Sequence, residues 1–459
     1  MIEAAVRLRD AIWGVPLILL LVGTGLYLTI LLRGLQLQRL ATGLRIAFVQ
    51  RDEPDADGDI SHFQALMTSL AATVGTGNIV GVATALTAGG PGALLWMWVA
   101  GFFAMAIRYA EAVLGVRFRE TDVRGEKSGG PMYYLANGIR WGSAGRGLAF
   151  IFAALAALAA LGIGNGVQAH AVASAVSNVS GAPPLLVGAV TATLAGAVIL
   201  GGIRSIARFA GVFVPLMIVV YLAAACWLLW RNAALLPDVF RAIFEGAFGA
   251  RAVGGGAAGF TIMQTMRSGL ARGVYSNQAG LGTGAIIAAA ARTREPVRQA
   301  LVAMTQTFID TLVVCTITGL VLLTSGHVGG PADGAELAQA AFSSGFPGEI
   351  GAWAVAVALA VFAFTTILGW AYVGERCMQY VAGERAVLPY RLVFVGIIPL
   401  GSVLQLQVVW TVSDILNGLM ALPNLVGLFL LSGIVVRETR AYFARDSAGR
   451  DTDQPSNRR

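Results

Sequence analysis

The stretch Ala72–Val80 (ATVGTGNIV) sets two glycines and three polar residues, Thr73, Thr76 and Asn78, inside a long apolar segment. Gly75 and Gly77 favour a departure from helix, because glycine adopts backbone conformations that other residues avoid. Where a helix unwinds, its carbonyls can coordinate a cation. Its N–H groups and the positive end of the following half-helix can receive a carboxylate. A second glycine-dense stretch runs from Gly254 to Gly259 and continues into Phe260 and Thr261. Phe364-Thr365-Thr366 places paired hydroxyls in another apolar segment, with Trp370 about a turn further on. Asp310 is a lone carboxylate near the centre of the segment 299–324. A carboxylate at membrane depth is costly and is functional or paired; this one can balance a cation, accept an ammonium or pair with an arginine. Gln168 can hydrogen-bond a small polar ligand, whereas His170 reads as a packing residue.

The elements that must position these groups are membrane helices. Of 459 residues 56% are hydrophobic and 12% charged, with a mean hydropathy of +0.72. A bilayer core is about 30 Å thick and needs roughly 20 apolar residues per crossing. Eleven apolar segments meet or approach that length: 14–33, 63–89, 92–117, 147–174, 184–202, 209–230, 253–271, 299–324, 350–382, 388–408 and 411–436. This reads as an all-α polytopic membrane protein with no room for a soluble enzyme domain. Gly14–Gly34 is too long for a signal-peptide core and has no A-x-A-like site after it, so it reads as a retained helix. Cys226, Cys315 and Cys377 all lie in apolar segments and read as packing side chains.

The net charge of +7 comes from arginines in short loops and carries orientation rather than nucleic-acid binding. With the N-terminus outside and the C-terminus cytoplasmic, 27 of the 32 Lys and Arg fall on the inner side, among them Arg267 and Arg272. Pro237–Phe248 is amphipathic and is expected to lie flat on the outer surface. The polar tail from Arg445 to Arg459 is expected to be disordered. Glu111 and Glu375, with Arg108 and Arg376 nearby, read as interface salt bridges, and Asp414 lies toward an outer helix end beside Asn417.

Set aside the first segment, and the two glycine-interrupted segments each open a block of five. Blocks with an odd number of crossings run in opposite orientations, which makes an inverted repeat. Paired breaks at matching positions of two halves are the best pointer in a sequence to a transporter binding site. Gly77-x-x-x-Gly81 is also a small-residue packing pattern. The expected organisation is 1–62, an extra helix and inner loop; 63–230, the first repeat; 231–252, an outer connector; 253–436, the second repeat; and 437–459, a cytoplasmic tail. GGPG at Gly89–Gly92 is followed by no Gly-Lys-Ser/Thr, and no H-E-x-x-H or G-x-S-x-G occurs, so neither a P-loop nor an intramembrane hydrolase is expected.

GTGNIVGVATAL, GGPGALLWMWVAGFFAMAIRYAEAVLGVRFRE and GGPMYYL are followed by ARGVYSNQAGLG, FIDTLVVCTITGLVLL, TTILGWAYVGERC and NGLMALPNL. Together they resemble the alanine or glycine:cation symporter family over residues 60 to 435, a family similar in fold to the five-plus-five inverted-repeat sodium symporters. Most members carry Glu in the SNEAGLG block, where this chain has Gln278. Ala72–Asn78 matches the wider sodium-symporter motif N-A-V-G-x-G-N at Val74, Gly75, Gly77 and Asn78. The resemblance implies that the N–H groups of Gly75, Thr76 and Gly77 hold a substrate carboxylate. It implies that the Thr73 carbonyl and Asn78 side chain face one cation, and the Ala71 and Val74 carbonyls another. Thr365 and Thr366 match the other cation-binding helix. Gln168, Trp370, Phe260 and Thr261 would wall the substrate pocket.

The function so implied is secondary active transport: Na⁺ moving inward with a small zwitterionic amino acid, alanine or glycine, by alternating access across the plasma membrane. No organic cofactor, no enzyme activity and a functional monomer are expected. A proton-coupled permease is the near alternative, with Asp310 or His170 carrying H⁺, and an ion channel the more distant one.

Overall fold

The computed structural model describes residues 2–139, 142–249, 257–330, 332, 334–347, 350–404 and 406–447. Nearly all of these are helical. Eight described helices are long and apolar enough to cross a membrane, or nine when the bent pair His62–Thr73 and Gly77–Gly89 counts as one span. Pro184–Ile199 is a shorter apolar helix of 16 residues. The only paired strands among the described residues are Glu120–Thr121 and Lys127–Ser128, a two-stranded hairpin in a loop. The polar tail beyond residue 447 and the glycines Gly254–Gly256 lie outside the described residues.

The first interrupted helix starts and stops for local reasons. Ser61 caps it: its Oγ accepts from the Gln64 N–H at 3.1 Å while its own N–H donates to Gln64 Oε1 at 3.0 Å, the reciprocal box that satisfies two free donors at a helix start. The helix ends where Val74 turns extended (ψ 97). It resumes as a π-helical turn, Gly77–Gly81, then as α-helix over Val82–Gly89, bent by 58° from its first half.

Glycines elsewhere bring backbones together. A Cβ on Gly369, in the helix Ile350–Ala382, would sit 2.7 Å from the Ala72 backbone. One on Gly164 would sit 2.3 Å from Trp370 Cβ. By contrast, Gly81 faces open space and Gly77 approaches nothing closer than 3.5 Å. The Gly77-x-x-x-Gly81 pattern therefore serves the interruption, not helix packing.

At one face of the bundle, polar loops are tied together. Arg119 donates to the carbonyls of Ala289, Ala291, Asp57 and Thr293 at 2.7–3.0 Å, and Ile60 pairs with Ala291 in an isolated bridge. Burial alone would raise the Glu53 carboxyl; bonds from His62 and the Arg294 N–H, with Arg298 alongside, hold it below its ordinary value instead. Arg376 donates to Asp122 at 2.9 Å and to Glu126. Glu375 pairs with Arg391 in a two-pronged bridge at 2.7 and 2.8 Å, not with the adjacent Arg376. At the opposite face the amphipathic stretch forms the helix Leu236–Phe248, with Ile243 and Ala247 buried against the rest.

Gly369→Val would wedge a side chain between Ile350–Ala382 and His62–Thr73. The purified variant is expected to lose about 1–3 kcal/mol of stability, read as a lowered thermal midpoint in detergent. An unchanged midpoint would contradict the close approach at Ala72.

Candidate functional site

The interruption at Val74–Thr76 rewires one amide. In an unbroken helix the Gly75 N–H would bond to the Ala71 carbonyl. Here it donates to Asn78 Oδ1 at 3.0 Å, releasing that carbonyl from its helical bond. Gly75 is required by its neighbour: a Cβ there would lie 2.6 Å from Thr366 Oγ1.

A second interruption faces the first. Of the glycine run expected to break, 254–256 lie outside the described residues, whereas residues 257–261 belong to the helix Ala257–Asn277 and the side chains of Phe260 and Thr261 lie outside the described residues. That helix runs six residues beyond the expected segment 253–271, to Asn277, and the chain then turns through Gln278, Gly280 and Gly282, all at positive φ (55, 88 and 82). It resumes as Thr283–Ala289. The expected loop 272–298 thus contains the break, and the physical reason is visible in SNQAGLG: Gly280 and Gly282 adopt left-handed backbone freely.

Between the breaks lies a cavity of about 20 Å³, room for roughly one water. Thr73, Gly75, Thr76 and Gly77 border it from the first break and Tyr275 and Gln278 from the second. Ile163, Gln168, Thr366, Trp370 and Asn417 complete the wall. No charged side chain lines it among the described residues. Gln278 Nε2 reaches the Ala72 carbonyl at 3.4 Å, and Thr76 Oγ1 reaches Gln168 Oε1 at 3.5 Å. Thr73 Oγ1 bonds back to Ser69 O at 3.1 Å and accepts from Gln306 at 2.8 Å. Thr365 and Thr366 both donate to the Phe362 carbonyl at 2.9 Å, and Thr365 also turns to Met217 Sδ at 3.6 Å, away from the cavity wall. His170 lies outside the lining, and its Nδ1 is buried without a hydrogen-bond partner.

Asp310 stands behind this cavity, fully buried, in the π-helical stretch Phe308–Cys315. It accepts from Asn78 Nδ2 at 2.9 Å, Ser276 Oγ at 2.7 Å and Thr311 Oγ1 at 2.8 Å. Its carboxylate therefore joins the first break to the helix that carries the second. Cys315 is more than packing here, with Sγ 3.3 Å from Asn78 Nδ2 and 3.2 Å from Ser276 Oγ.

Glu111 and Arg108 are not an interface pair. Both are fully buried, and they grip the second break. Glu111 Oε1 accepts from the N–H groups of Gly280 and Gly282 at 2.9 Å and from Asn424 Nδ2 at 2.8 Å. Arg108 bonds Glu111 Oε2 at 3.2 Å and the Asn277 carbonyl at 2.5 Å. Sequence reasoning missed this grip, together with Tyr275 and Ser276. Arg267 and Arg272 also fall on the wrong side of the charge count. They border one cavity with Arg9, Asp10, Thr84 and Ala88, at the N-terminal face.

Membrane-length helices with two broken helices facing each other across a polar cavity make the architecture of the LeuT-fold transporters. The solved structure of MhsT in complex with L-phenylalanine shares it, with a TM-score of 0.52, 15% identity and coverage of 84% of this chain and 99% of that one. The chain belongs to the sodium:alanine symporter family, whose model matches residues 1–456. It is 48% identical over 435 residues to the sodium/alanine symporter AgcS of Methanococcus maripaludis, covering 94% of this chain and 95% of the relative. An uncharacterized transporter of Haemophilus influenzae is 46% identical over 449 residues, covering 97% of both chains.

Glu111→Leu would leave the Arg108 charge buried and two turn amides unpaired. Removing one partner of a buried ion pair costs about 3–5 kcal/mol. The variant is expected to be strongly destabilised in thermal unfolding, and a loss under about 1 kcal/mol would contradict the grip.

Proposed function

We propose that the chain is a secondary active transporter that couples inward Na⁺ movement to uptake of a small neutral amino acid, alanine or glycine, by alternating access. The observation that carries this reading is the neutral lining of the central cavity between two helix breaks. A zwitterion brings both charges itself. The Thr76 and Gly77 N–H groups at the break receive its carboxylate, the Gly75 N–H being held by Asn78 Oδ1, and a cation on carbonyl, hydroxyl and amide oxygens offsets it. Na⁺, a hard cation, suits those ligands. Family membership and the name of the 48% identical relative support Na⁺ as coupling ion and alanine as substrate.

In this reading Thr73, Asn78 and the Ala71 and Val74 carbonyls serve Na⁺ together with Thr365 and Thr366, and Asp310 balances cation charge through Asn78. Gln168, Trp370 and Thr76 wall the substrate, as do Tyr275 and Gln278. Phe260 and Thr261 lie too far before the second break to do so. Gln278 keeps a permanent charge out of the wall. The eight or nine spans, with Pro184–Ile199 and the broken pair Ala257–Asn277 and Thr283–Ala289 added, support eleven crossings and two inverted five-helix repeats, and the excess of arginine in the inner loops supports an N-terminus outside. At about 20 Å³ the cavity is nearly closed, so side chains must move apart to admit even glycine. The protein works as a monomer, since one chain holds both breaks.

The test is uptake of labelled alanine and glycine into proteoliposomes under imposed Na⁺ or H⁺ gradients. Uptake driven by Na⁺ is expected, with Asn78→Leu abolishing it at normal membrane expression. Uptake driven by H⁺ alone would favour a proton-coupled permease working through Asp310.

A further inference from the structure

We propose that the inner ends of the helices Val15–Leu31 and Leu406–Ser447 form a binding site for the phosphate of an anionic phospholipid, and that this lipid clasps together the two helices that flank the second break. Inner means the end at which Arg33 and Arg437 stand, cytoplasmic in the orientation proposed above. The site lies off the transport path, and its effect on uptake rests on the transporter reading.

The two helices run side by side in one direction. A Cβ on Gly280, at the second break, would collide with Leu21 Cδ2 and touch Leu425 Cδ2 at 3.5 Å, so both helices pack on that turn. Further along, Tyr27 stacks on Phe429 with ring centroids 4.8 Å apart, and its hydroxyl lies 3.0 Å from Ser432 Oγ. Arg33 and Arg437 each stand twelve positions past the leucine that packs on Gly280, about 18 Å onward at helical rise. The register that pairs Tyr27 with Ser432 therefore brings the two arginines to one level.

Two more arginines join them. The chain turns sharply at Arg33 and Gly34 (φ 56 and 68), and Gln36 Nε2 donates to Thr29 Oγ1 at 2.8 Å, tying the start of the helix Leu35–Arg45 to the end of the first helix. That helix crosses to the last one, where Arg39 lies over the Phe443 ring with Cζ 4.3 Å from the centroid. Arg440 precedes Phe443 by three positions, which puts it on the same helix face. Nothing acidic balances the four. No Asp or Glu occurs between Ala11 and Arg51. Glu438, next to Arg437, is held by Arg117 at 3.1 Å, and Glu295 by Arg445 at 2.8 Å. Arg33, Arg39, Arg437 and Arg440 have no acidic partner within 4.0 Å among the described residues. Like charges gathered at one corner repel, and a phosphate between them turns repulsion into four attractions.

The surface beside the arginines selects a lipid over a free phosphate. Leu37, between Arg33 and Arg39 in the chain, is 73% exposed. Unpaired arginines flanking exposed apolar side chains are the pattern of a helix lying at the membrane surface: the guanidinium groups reach the phosphate while the leucine meets the acyl chain. A choline headgroup carries its own cation and cancels the attraction; an anionic headgroup does not, and clusters of four or more arginines next to a membrane helix recognise such lipids. With the phosphate in place the two inner ends are drawn together, and Leu21 and Leu425 close on Gly280. Without it the ends repel and the packing on the turn loosens.

The experiment has a binding arm and a transport arm, both on the full chain. Purified in neutral detergent, the parent is titrated with short-chain phosphatidylglycerol and its thermal midpoint followed. The midpoint is expected to rise with phosphatidylglycerol, and to stay put with phosphatidylcholine of the same chain length or with inorganic phosphate. Arg33→Gln and Arg437→Gln are each expected to weaken the apparent affinity about fivefold, whereas Lys at both positions keeps it within about twofold of the parent. Arg7→Gln removes the same charge at the opposite end and is expected to change nothing. In vesicles, the parent is expected to take up labelled alanine under an inward Na⁺ gradient about fivefold faster in equal parts phosphatidylglycerol and phosphatidylcholine than in phosphatidylcholine alone, and the double variant Arg33→Gln with Arg437→Gln at one rate in both. The proposal is overturned if phosphatidylcholine or inorganic phosphate raises the midpoint as far as phosphatidylglycerol, if the double variant keeps the parent's affinity, if Arg7→Gln loses as much, or if parent uptake ignores a lipid that binds. A parent that takes up no alanine in either vesicle refutes the transporter reading instead, and the midpoint then decides the lipid site on its own.

Discussion

Hydrocarbon offers no hydrogen bonds, so every backbone group that a broken helix releases at membrane depth must find a partner inside the protein. That constraint organises this structure. At the first break the Gly75 N–H turns to Asn78 Oδ1, and the Ala72 carbonyl is met by Gln278 from across the cavity. At the second, the Gly280 and Gly282 N–H groups close on Glu111, and the Gly280 carbonyl takes Asn424 Nδ2 at 2.8 Å. The two breaks thus satisfy one another and their scaffold, leaving only a few polar groups facing the small space between them.

The two arrangements differ in kind. The first break is partnered by neutral amides and reaches a carboxylate only through Asn78. The second is held by a buried ion pair whose anion takes three donors besides its arginine. A chain of contacts runs from that pair through the Asn277 side chain to Thr311 at 3.2 Å, then to Asp310 and Asn78. Asn78 is thereby joined to the residues that hold the second break through buried hydrogen bonds alone.

Much of this was legible in the sequence. Gly75, Gly77 and Asn78 announced the first break, because glycine pairs with a polar neighbour are hard to explain in a plain apolar helix. Gln168, Thr366 and Trp370, each singled out in the sequence, all border the cavity. Asp310 was singled out by its isolation. The glycine density at 254–259 drew the expected second break there and hid the sparser SNQAGLG, where left-handed turns rather than glycine count make the interruption that the structure describes. Glu111 looked like an interface residue because its partners, Gly280, Gly282 and Asn424, are 169 or more positions away and leave no local trace. Arg267 and Arg272 were assigned to the wrong face for the same underlying reason. A helix that halts at mid-depth does not deliver its last charges to the far side.

Three helices around the cavity contain π-helical turns: Gly77–Gly81, Gly162–Gly166 and Phe308–Cys315. Each such turn holds one residue more than α-geometry requires, and turns of this kind gather at functional sites. The surplus residue can be handed along the helix by swapping one carbonyl partner at a time. Each hand-over re-phases the intervening side chains by about 100° while no amide is ever abandoned to the oily surroundings. These walls can consequently twist their inward groups about their own axes, a freedom that rigid rods hinged only at their ends would lack.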